Sequence, residues 1–507
     1  MRITTYAAIN IGPSEVAMKI FEVSKSKGII ELSHLRHKLS LANEIFTHNE
    51  ISYKTISEIC HVLNDFKEIL KEYKVEDFHA YGTDSIREAS NTLVFLDQIK
   101  LQTDIPVRLL SNSEERFMFY RGISMREPHF EKMIQEGALI VDVSAGTVQL
   151  SLFQDGRLQF TQNLQLGANR ISELLHTLET EVFEYSDLVS EYMDKDLNTL
   201  IEMYLNKKNI RHIIAVGTHI PVMKATLQKM YPEFTGFVHT RVFTNTSFPQ
   251  EMLHDTGALP TYLLFQKIIH LIPCDDIYVS ATDLCDSMVA EFAEKKVKLE
   301  PKHDFKQDIL STSRNIAKRY HVHLKHVDNV CYLAGEIFDS IRKFHGLGKR
   351  ERLLLQIACT LHSVGAYISL TQSSENSYKI IMSTEIIGIS HIERVMIATI
   401  VRYNRDDFPS YEEMVDDFTP QEYITMIKLC TIFKMANVMD KSNTQKIRKI
   451  TTRTKDHELY ILAHTLKDIT LEMGMFRPKA DDFEKVFGIR PILKNKKGLE
   501  KDYDKLL

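Results

Sequence analysis

The chain has 507 residues, 44% hydrophobic and 26% charged, with 63 lysines and arginines against 68 aspartates and glutamates and a formal net charge of -5. This composition belongs to a folded protein of three or four domains at roughly 100–200 residues each, and it excludes a disordered chain or a polycationic surface built for DNA or RNA. The cysteines, Cys60, Cys274, Cys285, Cys331, Cys359 and Cys430, are scattered without a CxxC pair; this argues for reduced thiols in a cytoplasmic protein, while "MRITTYAAINIGPSE" does not read as a leader and no apolar run reaches the roughly 18 residues of a membrane helix.

In chain order, "YAAINIG" and "VAMKIFEVS" read as strands and "NEISYKTISEICHVLNDFKEILKEYK" as an amphipathic helix. The runs "DFHAYGT", "VRLLSN", "ALIVDVS", "VQLSLFQDG" and "HIIAVGT" follow as further strands. Strands alternating with helical segments imply α/β folding with mixed sheets up to about residue 300. One pattern occurs twice. Laying "AAINIGPSEVAMKIFEV" over "LIVDVSAGTVQLSLFQD" sets Asn10 on Asp142, each ending an apolar strand before a small or polar turn and a second strand. Two such hairpins about 130 residues apart suggest two related lobes facing one cleft; two unrelated hairpins remain the alternative on this evidence.

Beyond the charged connector "EKKVKLEPKHDFKQ" the chain becomes helical: "ILSTSRNIAKRYHV", "HVDNVCYLAGEIFDSIRKF", "RERLLLQIACTLHSVGAYI", "HIERVMIATIVRYN" and "QEYITMIKLCTIFKMANVMD" all carry apolar stripes. The last part reads strand, strand, helix, strand ("LYILAHT", "ITLEMGMF", "ADDFEKVFG", "RPILK") before a Lys-rich, solvated tail. The expected domains are residues 1–125, 126–300, 301–445 and 446–507.

An ionised Asp142 within "ALIVDV" is costly unless it is paired, bound to a metal or facing a polar cleft. A cleft floored by two turns with inward N–H groups suits phosphate, and carboxylates at the strand ends suit a divalent ion. In "YGTDSIREASN", Arg87 falls in a first helical turn, where it could pair with a phosphoryl oxygen. In "LLSNSEERFMFYRG", Glu114 and Glu115 follow a capping serine, where a carboxylate could serve as general base. Capping and surface ion pairing are the competing reading of both.

Together these segments resemble the exopolyphosphatase and guanosine pentaphosphate phosphatase (Ppx/GppA) family of the actin-like phosphotransferase superfamily. Its motifs "AAIDIGSNSVRL", "ATSALRDARN", "ISGEEEARLxYxG", "VVDIGGGSTEL" and "LPLGAVRLTE" correspond in order to "AAINIGPSEVAM", "GTDSIREASN", "LSNSEERFMFYRG", "IVDVSAGTVQL" and "LQLGANRISE". The resemblance implies two actin-like, ribonuclease H-like lobes, then a mostly α-helical HD-like domain and a small α+β C-terminal segment. It implies Glu115 as catalytic base, Arg87 as phosphate contact and Asp142 as a metal-holding acid. It further implies Gly12, Ser14, Ser144, Gly146, Thr147, Gly217 and Thr218 around phosphate, and Mg2+ or Mn2+ held by Asp142, Asn10 and Gln149.

The departures from the motifs concentrate at the same places. Asn10 replaces an acid, Pro13 removes an N–H and Glu15 adds negative charge. Ser144 and Ala145 replace glycines, Gln149 replaces a glutamate, and His219 follows Gly217 and Thr218 where a glycine pair is usual. In the helical region His326, His362 and Asp440 stand where HD-type ligands would, but Ser363 replaces an Asp, and residues 373–381 contain no His; the resemblance there implies scaffold rather than a filled metal site. Two functions follow: a phosphohydrolase of reduced activity releasing terminal phosphate from polyphosphate or guanosine pentaphosphate, or an inactive descendant binding a polyanion, nucleotide or partner protein. A homodimer is implied by the resemblance alone.

Overall fold

A computed structural model describes residues 3–172, 185–245, 257–280 and 282–495. It divides into two compact units, Met1–Ile309 and Leu310–Leu507. The expected Lys-rich tail beyond residue 495 lies outside the described residues.

In the first unit, β1 (Thr4–Ile11), β2 (Glu15–Ser24), β3 (Gly28–Lys38), β4 (Asp77–Gly82) and β5 (Val107–Leu109) form a sheet in the order β3-β2-β1-β4-β5. A second sheet contains β6 (Ala138–Val143), β7 (Val148–Gln154), β8 (Arg157–Leu164), β9 (His212–Gly217), β10 (Phe237–His239) and β11 (Asp276–Val279), ordered β10-β11-β9-β6-β7-β8. From either outer hairpin inward the pairings repeat: antiparallel, antiparallel, parallel, parallel. The registers repeat as well. Asn10 faces Ala17 and Ile11 faces Val16, just as Asp142 faces Gln149 and Val143 faces Val148. The two hairpins are therefore copies of one architectural unit, as the overlay of Asn10 on Asp142 suggests.

Strand alternation then decides where these two residues point. Ala7, Ile9 and Ile11 enter a core with the helices Tyr53–Glu72 and Thr92–Thr103, whereas Tyr6 and Ala8 enter a different cluster with Met118, Leu284 and Met288. Asn10 has the parity of the latter. Leu139, Val141 and Val143 likewise belong to the large core of the second sheet, which leaves Asp142 on the opposite face. That face meets the helix Asn112–Arg126, whose Tyr120 hydroxyl donates to Ser151 on β7. The same helix packs against Leu284–Phe292, which runs along β1 and β2. Gly122 allows the crossing, because a Cβ there would lie 2.4 Å from Ser287 Oγ.

The connector is less solvated than its charges imply. His303 is buried, with Nε2 2.7 Å from Asp308 Oδ2 and Nδ1 2.9 Å from Glu131 Oε1, and Asp308 Oδ1 accepts from the Leu158 amide at 3.1 Å.

The second unit is mostly helical from Leu310, within the helix Phe305–Arg319, to Val438, then closes with β12 (Ile450–Lys455), β13 (Glu458–Ala463) and β14 (Arg490–Asn495) in that order. Here one expectation fails: "ITLEMGMF" is not a strand but the start of the helix Thr470–Phe487. Its buried residues Glu472, Phe476, Ala480, Phe483 and Phe487 recur at helical spacing. Glu472 is tolerated inside because Ser442 donates to it at 2.6 Å and Lys446 at 3.1 Å.

Candidate functional site

The parallel strands β1, β4, β6, β9 and β11 all end at one place, and open α/β sheets bind ligands at the carboxyl ends of their strands. A cavity of about 300 Å³ lies there. Its wall includes Asn10, Gly12 and Ser14 from the first hairpin, Asp142 and Ser144 from the second, Thr83 after β4, Gly217 and Thr218 at the end of β9, and Glu115.

The second turn is held rigidly. Ser144 N donates to Thr147 O at 2.9 Å, and Ser144 Oγ caps the Thr147 amide at 3.3 Å. The segment Gly167–Arg170 then braces it from behind: Gly167 N donates to Gly146 O, Ala168 N to Ser144 O, and the Asn169 and Arg170 amides both to Ala145 O, at 3.1–3.3 Å. Gly217 has φ +130°, and a Cβ on it would lie 2.1 Å from Val143 O, so glycine is required where β9 passes β6.

The two adjacent glutamates have separate tasks. Glu114 completes a capping box with Ser111, accepting from its amide at 3.1 Å and its hydroxyl at 2.8 Å, and pairs with Arg108. Glu115 faces the cavity instead, with Oε2 3.8 Å from Arg87 Nη1. Arg87 stands behind the wall and also donates to Leu110 O. The capping interpretation thus holds for Glu114 and not for Glu115.

Other expected residues are distributed unevenly. Gly146, Thr147 and Gln149 do not line the cavity. Gln149 is buried and its amide nitrogen donates to Thr161 Oγ1, while Thr147 Oγ1 accepts from Arg116 at 3.0 Å. Glu15 lines the wall but is neutralised by Arg36 at 2.6 Å. His219 does not fill the cavity; its Nε2 lies 3.1 Å from Asn169 Oδ1, and it opens onto a neighbouring cleft.

Sequence reasoning missed Lys19 with its partners Asp283 and Asp286, and Arg116. Lys19, buried in β2, lines the cavity and pairs with Asp283 at 2.7 Å and Asp286 at 3.1 Å. Burial, then the neighbouring Asp286, push Asp283 up to about 6 against the pull of Lys19. A lone lysine in "VAMKIFEV" is the same signal as Asp142 in "ALIVDV" and could have been read. Arg116 carried no such signal. It is buried, its Nη2 donates to Thr147 Oγ1 at 3.0 Å and Asn163 Oδ1 at 3.1 Å, and its Nε lies 3.9 Å from Asp142 Oδ2.

A divalent cation of the Mg2+ class needs about six oxygens, with ionised carboxylates among them. Asn10 offers Oδ1, buried and without a hydrogen-bond partner among the described residues. Gln149 Oε1 is likewise buried without a hydrogen-bond partner among the described residues, but Gln149 does not line the cavity, and the one expected carboxylate, Asp142, faces the Arg116 guanidinium. No group of three or more His, Cys, Asp or Glu suited to a metal occurs among the described residues. The expected set of Asn10, Asp142 and Gln149 therefore does not fit such an ion.

In the second unit, His326 Nδ1 lies 2.8 Å from Asp440 Oδ2, and Asp440 Oδ1 accepts from the Gln445 amide at 2.8 Å. His362 stacks edge-on with His326 and donates from Nδ1 to Cys359 O at 2.8 Å. Burial, followed by the charge of His326, pushes His362 down to about 4. These residues form a hydrogen-bonded core.

Comparison with known proteins agrees across both units. The model of the Ppx/GppA phosphatase family matches residues 20–240, and that of Ppx/GppA phosphatase domain III matches residues 310–473. Among solved structures, the Ppx/GppA family member of Aquifex aeolicus is 19% identical with a TM-score of 0.48, the match covering 58% of this chain and 99% of that one. An exopolyphosphatase from Cytophaga hutchinsonii is 18% identical with a TM-score of 0.49, covering 57% and 98%. No described helix is long and apolar enough to cross a membrane.

Proposed function

Because this chain belongs to the Ppx/GppA phosphatase family, we propose that it is a phosphohydrolase releasing the terminal phosphate of inorganic polyphosphate or guanosine pentaphosphate. The observation that carries this reading is the convergence of both hairpin turns, Glu115 and Asp142 on one cavity of about 300 Å³, a volume suited to a terminal phosphoryl group and a water. The phosphoryl oxygens would rest against Gly12, Ser14, Ser144 and Thr218. Glu115 would orient the water and take its proton as the water oxygen bonds to phosphorus and the bridging oxygen leaves on the shortened chain. Arg87 Nη1, 3.8 Å from Glu115 Oε2, is its ion-pair partner. The free thiols accord with a cytoplasmic setting, and a homodimer, testable by sedimentation, completes the proposal.

Binding without turnover is the second reading, favoured by the pairing of Arg116 with Asp142. Phosphate release from polyphosphate and from guanosine pentaphosphate, with and without Mg2+, separates the two. Hydrolysis requires release by the wild type that Glu115→Gln abolishes. Absent release with retained binding of the same polyanion would select the second reading.

A further inference from the structure

We infer that Arg116 is a built-in counter-ion that occupies, electrostatically, the place of a divalent cation, so that this cleft handles its anion without binding a metal at Asp142. The inference deepens the proposed function and rests on that reading for the ligand, but not for the ion pair itself.

Three strands and one helix produce the arrangement. Asp142, Gln149 and Asn163 face one another across β6, β7 and β8, so their side chains share one face of the sheet. Arg116 projects onto this row from the first turns of Asn112–Arg126. Its Nη2 donates to Thr147 Oγ1 at 3.0 Å and Asn163 Oδ1 at 3.1 Å, and its Nε lies 3.9 Å from Asp142 Oδ2.

Both charged side chains are less than a tenth exposed. In such a setting an unpaired carboxylate is strongly disfavoured, and a guanidinium, which cannot lose its proton, is a permanent partner. A cation approaching Asp142 would meet a fixed positive charge that water screens poorly. Thr147 Oγ1 and Asn163 Oδ1, which do not line the cavity, both accept from the same guanidinium and hold it beside Asp142. The remaining uncommitted oxygen of the expected set at the wall, Asn10 Oδ1, is neutral. Alanine stands at the position of Arg116 in the motif "ISGEEEARLxYxG" quoted above, which makes Arg116→Ala the natural reversal.

The test is Mn2+ binding to the full chain, followed by electron paramagnetic resonance, for the wild type, Arg116→Ala, Asp142→Asn and the double variant. Wild type should show no saturable Mn2+ site that Asp142→Asn removes. Arg116→Ala should gain a site at least about tenfold tighter, lost again in the double variant. Arg116→Gln, which keeps amide contacts to Thr147 and Asn163, replaces Arg116→Ala if the latter fails to fold. A wild-type Mn2+ site abolished by Asp142→Asn would overturn the inference, and so would folded Arg116 variants that gain no site. Because no hydrolysis is measured, failure here leaves the proposed phosphohydrolase standing, and absence of phosphate release would not touch this result.

Discussion

Replacing Gly167 by alanine should damage the cleft from behind, at a distance from any proposed ligand contact. A Cβ at this position would lie 2.1 Å from Gly146 C, 2.3 Å from Ala145 O and 2.3 Å from Thr147 N. All three are backbone atoms of the second turn, so no side chain can swing aside. Ordinary Cβ contacts begin near 3.4 Å, and the brace or the turn must therefore withdraw by about 1.3 Å, a shift that packed interiors resist. That withdrawal stretches the four hydrogen bonds from the Gly167–Arg170 amides to Ser144, Ala145 and Gly146. At roughly 1 kcal/mol net for each bond, with partial relaxation, the expected loss is about 2–4 kcal/mol. Urea unfolding of the full chain measures it, and polyanion binding by calorimetry should weaken in parallel, because Ser144 moves with the turn. A stability change below about 0.5 kcal/mol with unchanged binding would refute the reasoning.

Other consequences are separable from this one. His362 is held near pKa 4 in the folded chain against about 6.5 when unfolded, so between these values the unfolded state binds more protons and stability falls as pH drops, by up to about 3 kcal/mol. Urea titrations at pH 7 and pH 5 should show about 2 kcal/mol of this loss in the wild type and a smaller one in His362→Gln; equal losses would contradict it. Lys19→Met should cost about 1–3 kcal/mol, because the half-buried Asp283 would lose its lysine and the buried Asp286 would keep only Arg126. The additional substitution Asp283→Asn should recover part of this loss in thermal unfolding, whereas additive losses would show that the cluster is not coupled.

Much of the first unit is legible in the sequence because its central strands are buried on both faces and read as apolar runs. β1, β2, β6, β7 and β9 are of this kind. β3 escaped notice because it is an exposed edge whose alternating Ser33, His34, Arg36 and His37 resemble a loop. β8 did so because one of its faces, toward the helix Asn112–Arg126, is polar, with Thr161 and Asn163 serving Ser151 and Arg116. β12 is a polar edge of the same sort. The helix Thr470–Phe487 was obscured by an opening whose apolar residues alternate, and only its later phenylalanines reveal the helical period.

The candidate site was legible where one residue violates its surroundings, as Asp142 does. It was illegible where the meaning depends on tertiary pairing. Arg116 follows two glutamates on a helix and looks like a solvated charge, yet its partners Asp142, Thr147 and Asn163 come from β6, the turn after it and β8. Motif matching marked Gln149 as a metal ligand because it replaces an acid, and only the structure shows its amide turned to Thr161.

The most direct measurement is a crystal structure of the protein with tripolyphosphate. The expected result is a terminal phosphate between the turns at Gly12–Ser14 and Ser144, with Glu115 within hydrogen-bond reach of a water in line with the bridging oxygen. An anion bound elsewhere on the chain, with this cavity holding only solvent, would contradict the proposed site.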